Sequence, residues 1–433
     1  MPMVHPCRAG GLRAGDRVMG IFKKLGSIPR LAAISERLQS TVGAQNLGLP
    51  VAVDFGAGAL KVLQLAEGDP PSLVAAASLE TPTDLHSDPR KRLEFQLAAL
   101  PKLIRQGGFK GKRVVCSIPA WATLCKQFQL PRAEPAAMAE TVEALLPQQF
   151  NCEPGALVHR FFEVGQEKSG KVEIVVLATP RDVVERIVRG LAVAKFEPVG
   201  IHSEFVAMLR AFDHLHRREQ DAELSTLYLD IGSSATNVAI SRGRSLAFAR
   251  VVASGGRSID EAIARQSSCS LKEAFAKRLA AAEGPSPVRR SIPVPAAAGA
   301  GADMPHDRRG SGGVPAGLSD DVHSLPRSEV GPKDVNLTEA VETITDEVSM
   351  CLRYHAAQFP GRKVDRLVFV GGEARHRGLC QEIARRLKLP AQMADPMARI
   401  ARTGSEPSAG VDMKQPQPGW SVAVGLCLSP TDL

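Results

Sequence analysis

Three short glycine-bearing turns carry the residues of this chain best suited to chemistry. The first, Gly56, Ala57, Gly58 and Ala59, follows the strand-like run Pro50 to Asp54 and leads to Lys61. The second, Gly232, Ser233 and Ser234, follows Thr226 to Asp230 and leads to Thr236. Glycine lets backbone N–H groups approach anionic oxygens with no Cβ in the way. Two such tips facing one another make a phosphate clamp. Asp54 and Asp230, one from each side, suit Mg²⁺ held through its waters, since this hard ion dehydrates reluctantly. Ser233, Ser234 and Thr236 add hydroxyl donors. Either tip alone reads as an ordinary hairpin with a solvated aspartate; the recurrence at matched positions, about 176 residues apart, argues for the clamp.

The third turn, Gly371, Gly372, Glu373, Ala374 and Arg375, lies between the strand-like Asp365 to Val370 and a helical run from Arg377 to Leu387. A glycine pair there brings a nucleotide against the backbone and the helix N-terminus. Arg375 suits the face of an adenine ring. In isolation these residues make a tight turn with a surface arginine. The Gly56-Ala57-Gly58 run is not a dinucleotide fingerprint. That motif needs a helix directly after its glycines, whereas Val62, Leu63 and Leu65 continue in extended style.

The elements that must position these turns repeat. Strands at Pro50 to Asp54, Leu60 to Leu65 and Leu73 to Leu79 lead into a helix near 89–106. Strands at Thr226 to Asp230, Ala235 to Ser241 and Leu246 to Val252 lead into a helix near 256–268. Two copies of one scheme predict two related α/β domains facing each other. Between them, strands near Val114 to Ile118, Val158 to Val164 and Val172 to Ala178 alternate with helices at Pro135 to Leu146 and Arg181 to Ala194. That is the size of a small inserted α+β subdomain.

Composition excludes several classes. The chain has 433 residues, 44% of them apolar, and no apolar run approaching the roughly 18 residues of a membrane span. No secretory leader is evident at its start. Of the net +8, residues 1–30 hold +5, so the body is nearly neutral; with two Trp and two Tyr it makes a poor platform for nucleic acid. Eight scattered cysteines without a Cys-x-x-Cys pair point to reduced thiols rather than zinc. Residues 283–333, with 8 Pro, 8 Gly and no aromatic, are expected to be a disordered insertion. The basic N-terminus reads as a flexible tail, with Met19 a plausible alternative start. Its apolar residues from Ile21 to Ile34 offer a membrane-facing helix as the second reading, one that Pro29 would interrupt.

Together these stretches resemble the actin-like ATPase superfamily. DFGAGALK at 54–61 looks like its phosphate-1 loop, LDIGSSATNVAI at 229–240 its phosphate-2 loop, and LVFVGGEARHRGL at 367–379 its adenosine loop. Ser254-Gly255-Gly256 is similar to the superfamily's glycine-pair turn into a helix near the nucleotide. His202 to Leu209 resembles its connecting helix, which makes Glu204 the catalytic, water-orienting candidate; read alone, Glu204 is an N-terminal helix glutamate. Glu273 and Lys277 resemble the ribose-contacting residues, displaced by one position. Gly58 stands where a hydroxyl residue is usual, and Glu373 where a small residue is.

Within the superfamily the likeness is to the PilM family of type IV pilus assembly proteins, over about 45–283 and 334–428. It implies an actin-like (ribonuclease H-like) duplicated two-domain α/β fold with an inserted α+β subdomain. The expected division is a tail over 1–45, a first lobe over 46–116 and 198–222, and a subdomain over 117–197. A second lobe follows over 223–268 and 334–428, with an insertion at 269–333. The implied cofactors are ATP and Mg²⁺, with at most slow ATPase activity. The implied partners are the tail of a PilN-type inner-membrane protein and other pilus assembly proteins, with homo-oligomerisation left open. The implied location is cytoplasmic, peripheral on the inner membrane through partners. A type II secretion component and a small-molecule kinase or phosphatase of the same superfamily are the alternatives.

Overall fold

The computed structural model describes residues 49–166, 170–216, 219–282, 322–324, 338–359 and 362–431. The expected basic tail, with Met19, and most of the expected disordered insertion lie outside the described residues. In chain order the first lobe begins with β1 (Val51–Phe55), β2 (Ala59–Ala66), β3 (Ser72–Glu80), α1 (Pro89–Gln106) and β4 (Arg113–Ile118). Then come β5 (Leu124–Pro131), α2 (Pro135–Phe150), β6 (Leu157–Gln166), β7 (Lys171–Pro180) and α3 (Arg181–Val193). β8 (Glu197–Ser203) and α4 (Glu204–Ala211) return to the first lobe. The second lobe has β9 (Ser225–Ile231), β10 (Thr236–Arg242), β11 (Ser245–Val252), α5 (Gly256–Ser267) and α6 (Leu271–Ala282). It continues with β12 (Val322–Ser324), α7 (Thr338–Gln358), β13 (Arg366–Val370), α8 (Arg377–Leu387) and β14 (Ala391–Ala394). β15 (Ser408–Ala409) and α9 (Ser421–Cys427) close the chain.

The duplication is visible in strand order. One sheet runs β15-β3-β2-β1-β4-β8 and the other β11-β10-β9-β13-β14-β12. In each, the first strand of the repeat pairs antiparallel with the second and parallel with a later strand: β1 with β2 and β4, β9 with β10 and β13. This repeated order is the actin-like fold. β12 falls inside the stretch expected to be disordered and adds an antiparallel edge strand beside β14.

Both faces of β1 are covered, which is why it is apolar at every position but Asp54. Val51, Val53 and Phe55 pack with Leu93 and Leu100 of α1 and Ile187 and Leu191 of α3. Ala52 on the other face belongs with Ala207 and Met208 of α4 and Val424 and Leu426 of α9. A strand alternates its side chains between faces, so one run feeds two cores. The second lobe repeats this with Leu229 and Val238 against Ile259, Ile344 and Ile383.

Two boundaries differ from expectation. The chain after β14, assigned by sequence to the second lobe up to 428, crosses back to the first. β15 joins β3, and α9 packs on α4, where Gly425 brings its backbone onto the carbonyl of Ala207. The reason is burial: α9 is apolar all round and covers the open face of the first sheet. α3, assigned to the inserted subdomain, covers the first-lobe sheet with Val183, Ile187 and Leu191. The three-stranded subdomain sheet, β5-β7-β6, puts Val172, Ile174 and Val176 under Met138, Val142 and Leu146 of α2. Its other face, with Val164, Val175 and Leu177, belongs to the same core as Leu246 and Ala249 of β11.

Candidate functional site

The β1–β2 and β9–β10 turns meet. A Cβ placed on Gly58 would lie 3.0 Å from Ser233 Cβ and 3.6 Å from its Oγ, so the two tips touch across the lobes. Residues 56–59 and 232–235 are all half-buried. The first tip is braced from behind: Gln96 Nε2 donates to Gly56 O at 2.8 Å and to Thr81 Oγ1 at 3.2 Å, and Thr81 N donates to Gly58 O at 2.9 Å. The registers match as well, with Asp54 opposite Lys61 and Asp230 opposite Asn237. The duplication thus places a carboxylate and a longer polar side chain at equivalent cross-strand positions in both lobes.

Three carboxyl groups converge behind the tips. Asp54 is buried, accepts from Ser117 Oγ at 3.3 Å, and has Lys61 Nζ 4.0 Å away. Burial, with Lys61 opposing and Asp230 adding, pushes it up to about 6. Glu204, at the first turn of α4, is raised well above the carboxylate range by burial and by the charges of Asp54 and Asp230. Its Oε1 accepts from Ala120 N and its Oε2 from Asn237 Nδ2, each at 2.9 Å. Asp230 is raised by desolvation, with Lys61 and the bond from Asn237 opposing. Lys61 Nζ also donates to Gly419 O, in the turn before α9.

This donor set fits a hydrated hard cation with phosphate. Burial penalises the carboxylates despite the charge of Lys61, and Ser234 Oγ and Asn237 Oδ1 are buried without a hydrogen-bond partner. Among the described residues no three acidic, histidine or cysteine side chains stand close enough to ligate one metal directly. Mg²⁺ that keeps its waters needs no such cluster of direct ligands.

Other expected contacts are already committed within the protein. Gly256 N donates to Gly232 O at 2.9 Å and Arg257 N to Ser233 O at 2.7 Å, so the start of α5 supports the second tip. A Cβ on Gly255 would come within 2.5 Å of Gly232 O and 2.8 Å of Ala235 N, which accounts for a glycine there. Thr236 Oγ1 donates to Ser254 O at 2.7 Å and turns away from the cleft. Gly371 has φ 92° and leaves room for Asp230 Oδ1, 2.5 Å from where a Cβ would sit. Gly372 opens onto free space.

The sequence profile of the family described as "Type IV pilus assembly protein PilM" matches residues 52–292 and 332–430. The chain belongs to this family. In direct comparison no curated protein matches it. Among solved structures, the "PilM-PilN type IV pilus biogenesis complex" is similar at TM-score 0.63 and 19% identity, covering 88% of this chain and 97% of that one. The ethanolamine utilization protein EutJ from Carboxydothermus hydrogenoformans follows at 0.43 and 12%, over 90% and 93% of the two chains. MreB5 of Spiroplasma citri bound to ADP stands at 0.43 and 12%, over 89% and 96%.

Against the PilM-family expectation, the base side of the cleft departs. Glu273 is exposed and accepts from Ser270 N at 2.9 Å and Ser270 Oγ at 2.8 Å, capping its own helix. Lys277 is exposed beside it. The residues of α6 that face inward are Ala274 and Arg278, one position further on. Arg375 Nη2 donates to the buried Gln417 Oε1 at 2.6 Å rather than standing free for an adenine. Ser117, Asn237, Asp260, Arg278 and Gln417 bond to the candidate residues or to one another around the cleft, and sequence reasoning missed them. Asn237 had a signal: it follows Asp230 by the same interval as Lys61 follows Asp54.

Proposed function

We propose that this PilM-family chain is an ATP-binding scaffold of type IV pilus assembly, working on the cytoplasmic face of the inner membrane. Mg-ATP would lie between the 56–59 and 232–236 tips, with Asp54 and Asp230 holding the cation's waters. One observation carries this reading: Asp54, Asp230 and Glu204 are drawn together behind two touching glycine tips, beside the unpartnered Ser234 Oγ and Asn237 Oδ1. When bound, the Mg-nucleotide supplies the counter-charge and acceptors that these groups lack.

Nucleotide acts here as a lobe-closing ligand, since a ligand shifts a conformational equilibrium only through different affinities for its states. Turnover is slow in this reading, because both oxygens of Glu204 accept hydrogen bonds that link α4 to Ala120 and to β10. Similarity to a PilM–PilN complex supports a PilN-type protein as partner; in this reading its cytoplasmic tail sits between the first lobe and the inserted subdomain. A partner-borne membrane attachment agrees with the helices: among the described residues none is long and apolar enough to cross a membrane.

Isothermal titration with Mg-ATP, before and after Asp54→Ala plus Asp230→Ala, tests the nucleotide claim. Equal heats from both proteins reject it. Retention of a PilN-type tail peptide on the immobilised chain tests the partner, and no retention with or without ATP rejects it.

A further inference from the structure

We propose that Arg278 and Glu373 form an internal latch across the base side of the cleft, so that this ion pair and a nucleoside compete for one space. The inference rests on the nucleotide reading above and names a control built into that site. Three walls meet at the latch: the 372–375 turn supplies Glu373, α6 supplies Arg278 and α5 supplies Asp260. Arg278 Nη1 donates to Glu373 Oε2. Its Nε and Nη2 donate to Asp260 Oδ1 at 2.6 Å and Oδ2 at 3.0 Å. The side chains of Arg278 and Glu373 are only 3% and 13% exposed.

The carboxylate of Glu373 closes against the start of α5. It packs over Gly256, the first residue of the twelve-residue α5; a Cβ there would reach within 2.7 Å of Glu373 Cδ and 3.1 Å of Arg278 Nη2. Release is mechanically available. Glu373 follows Gly371 and Gly372, and a Cβ on Gly372 would meet no atom within 4 Å, so open space adjoins the latch on that side. Release also leaves no orphaned charge, because Arg278 keeps its two bonds to Asp260.

The test compares the full chain with Glu373→Gln and Glu373→Ser, titrated with Mg-ADP and separately with inorganic pyrophosphate. Both variants keep the Arg278–Asp260 pair, and thermal melts of the three proteins verify folding. The latch requires Glu373→Ser to bind ADP about tenfold more tightly than the parent, a gain of about 1.4 kcal/mol. Glu373→Gln falls between them, and pyrophosphate affinity changes by less than about twofold. Unchanged or weaker ADP binding by both variants overturns the latch while the parent's own binding upholds the nucleotide reading. An equal gain for pyrophosphate overturns it too, since the block would then lie at the phosphates. If no protein of the three binds ADP, both the latch and the nucleotide reading fall.

Discussion

Asn237 Nδ2 donates to Glu204 Oε2 at 2.9 Å and to Asp230 Oδ2 at 3.3 Å, so one amide on β10 ties the second lobe to α4 of the first. The bond spans two carboxyl groups that burial has left short of donors. Replacing Asn237 by Leu removes the shared donor and leaves Glu204 only its bond from Ala120 N and Asp230 only the charge of Lys61. Leaving a buried acceptor without its donor costs about 1–3 kcal/mol, and a loss of that size is expected in urea denaturation. An unchanged denaturation midpoint would show that the amide is not a strut.

The Asp54 carboxyl has a consequence for pH. Burial pushes it up from 3.8 to about 6, with Asp230 adding and Lys61 opposing. Across that interval the folded chain holds a proton that the unfolded chain has released, so stability falls as pH rises through it. Asp54→Asn flattens this slope and raises stability at pH 7 by on the order of 2–3 kcal/mol. Thermal melts from pH 4 to pH 7.5 check it; a slope of the same size in both proteins counts against Asp54 as its source. Under the proposed function, Mg-ATP flattens the slope of the parent chain, because a nearby cation favours the ionised carboxylate.

Gly371 and Gly372 are neighbours with opposite tolerance. At φ 92°, a Cβ on Gly371 would also press to 2.6 Å from Ile231 N. Gly371→Ala is expected to cost about 1–3 kcal/mol in backbone strain alone and to displace Asp230, weakening Mg-nucleotide binding. Gly372→Ala meets open space and stays within about 0.5 kcal/mol of the parent. Paired denaturation and titration curves separate the two, and equal behaviour contradicts the close approach of this turn to β9.

Glu273 and Lys277 give a prediction of no effect. Glu273 caps α6 through Ser270, so Glu273→Ala lowers the stability of the helix start slightly. Neither Glu273→Ala nor Lys277→Ala changes Mg-ADP affinity, because both side chains point to solvent. A tenfold loss in either titration would restore them as ligand contacts.

The parts legible in advance were those that depend on near neighbours. Alternating apolar runs broken by glycine turns predict β1, β2 and β3 and their counterparts β9, β10 and β11, because a strand's faces and a hairpin's tip are local properties. The matched spacing of Asp54 and Asp230 marks the two tips for the same reason. The face that α6 turns inward was a different matter. Glu273 with Lys277 and Ala274 with Arg278 are both i, i+4 pairs, and helical period alone does not choose between them; packing against α5 chose Arg278.

By itself, then, the sequence determined a duplicated α/β chain with an acid at each of two glycine tips. The family resemblance added the phosphate, adenosine and ribose roles. Only the tertiary structure decided that α9 returns to the first lobe, that Glu204 is shared between Ala120 and Asn237, and that Glu373 lies under Arg278. Each of these joins residues distant along the chain, 84 positions apart for Ala120 and Glu204 and 95 for Arg278 and Glu373. Such contacts form because whole elements bury apolar faces together, and the polar side chains at their ends then bond to whatever that burial brings within reach.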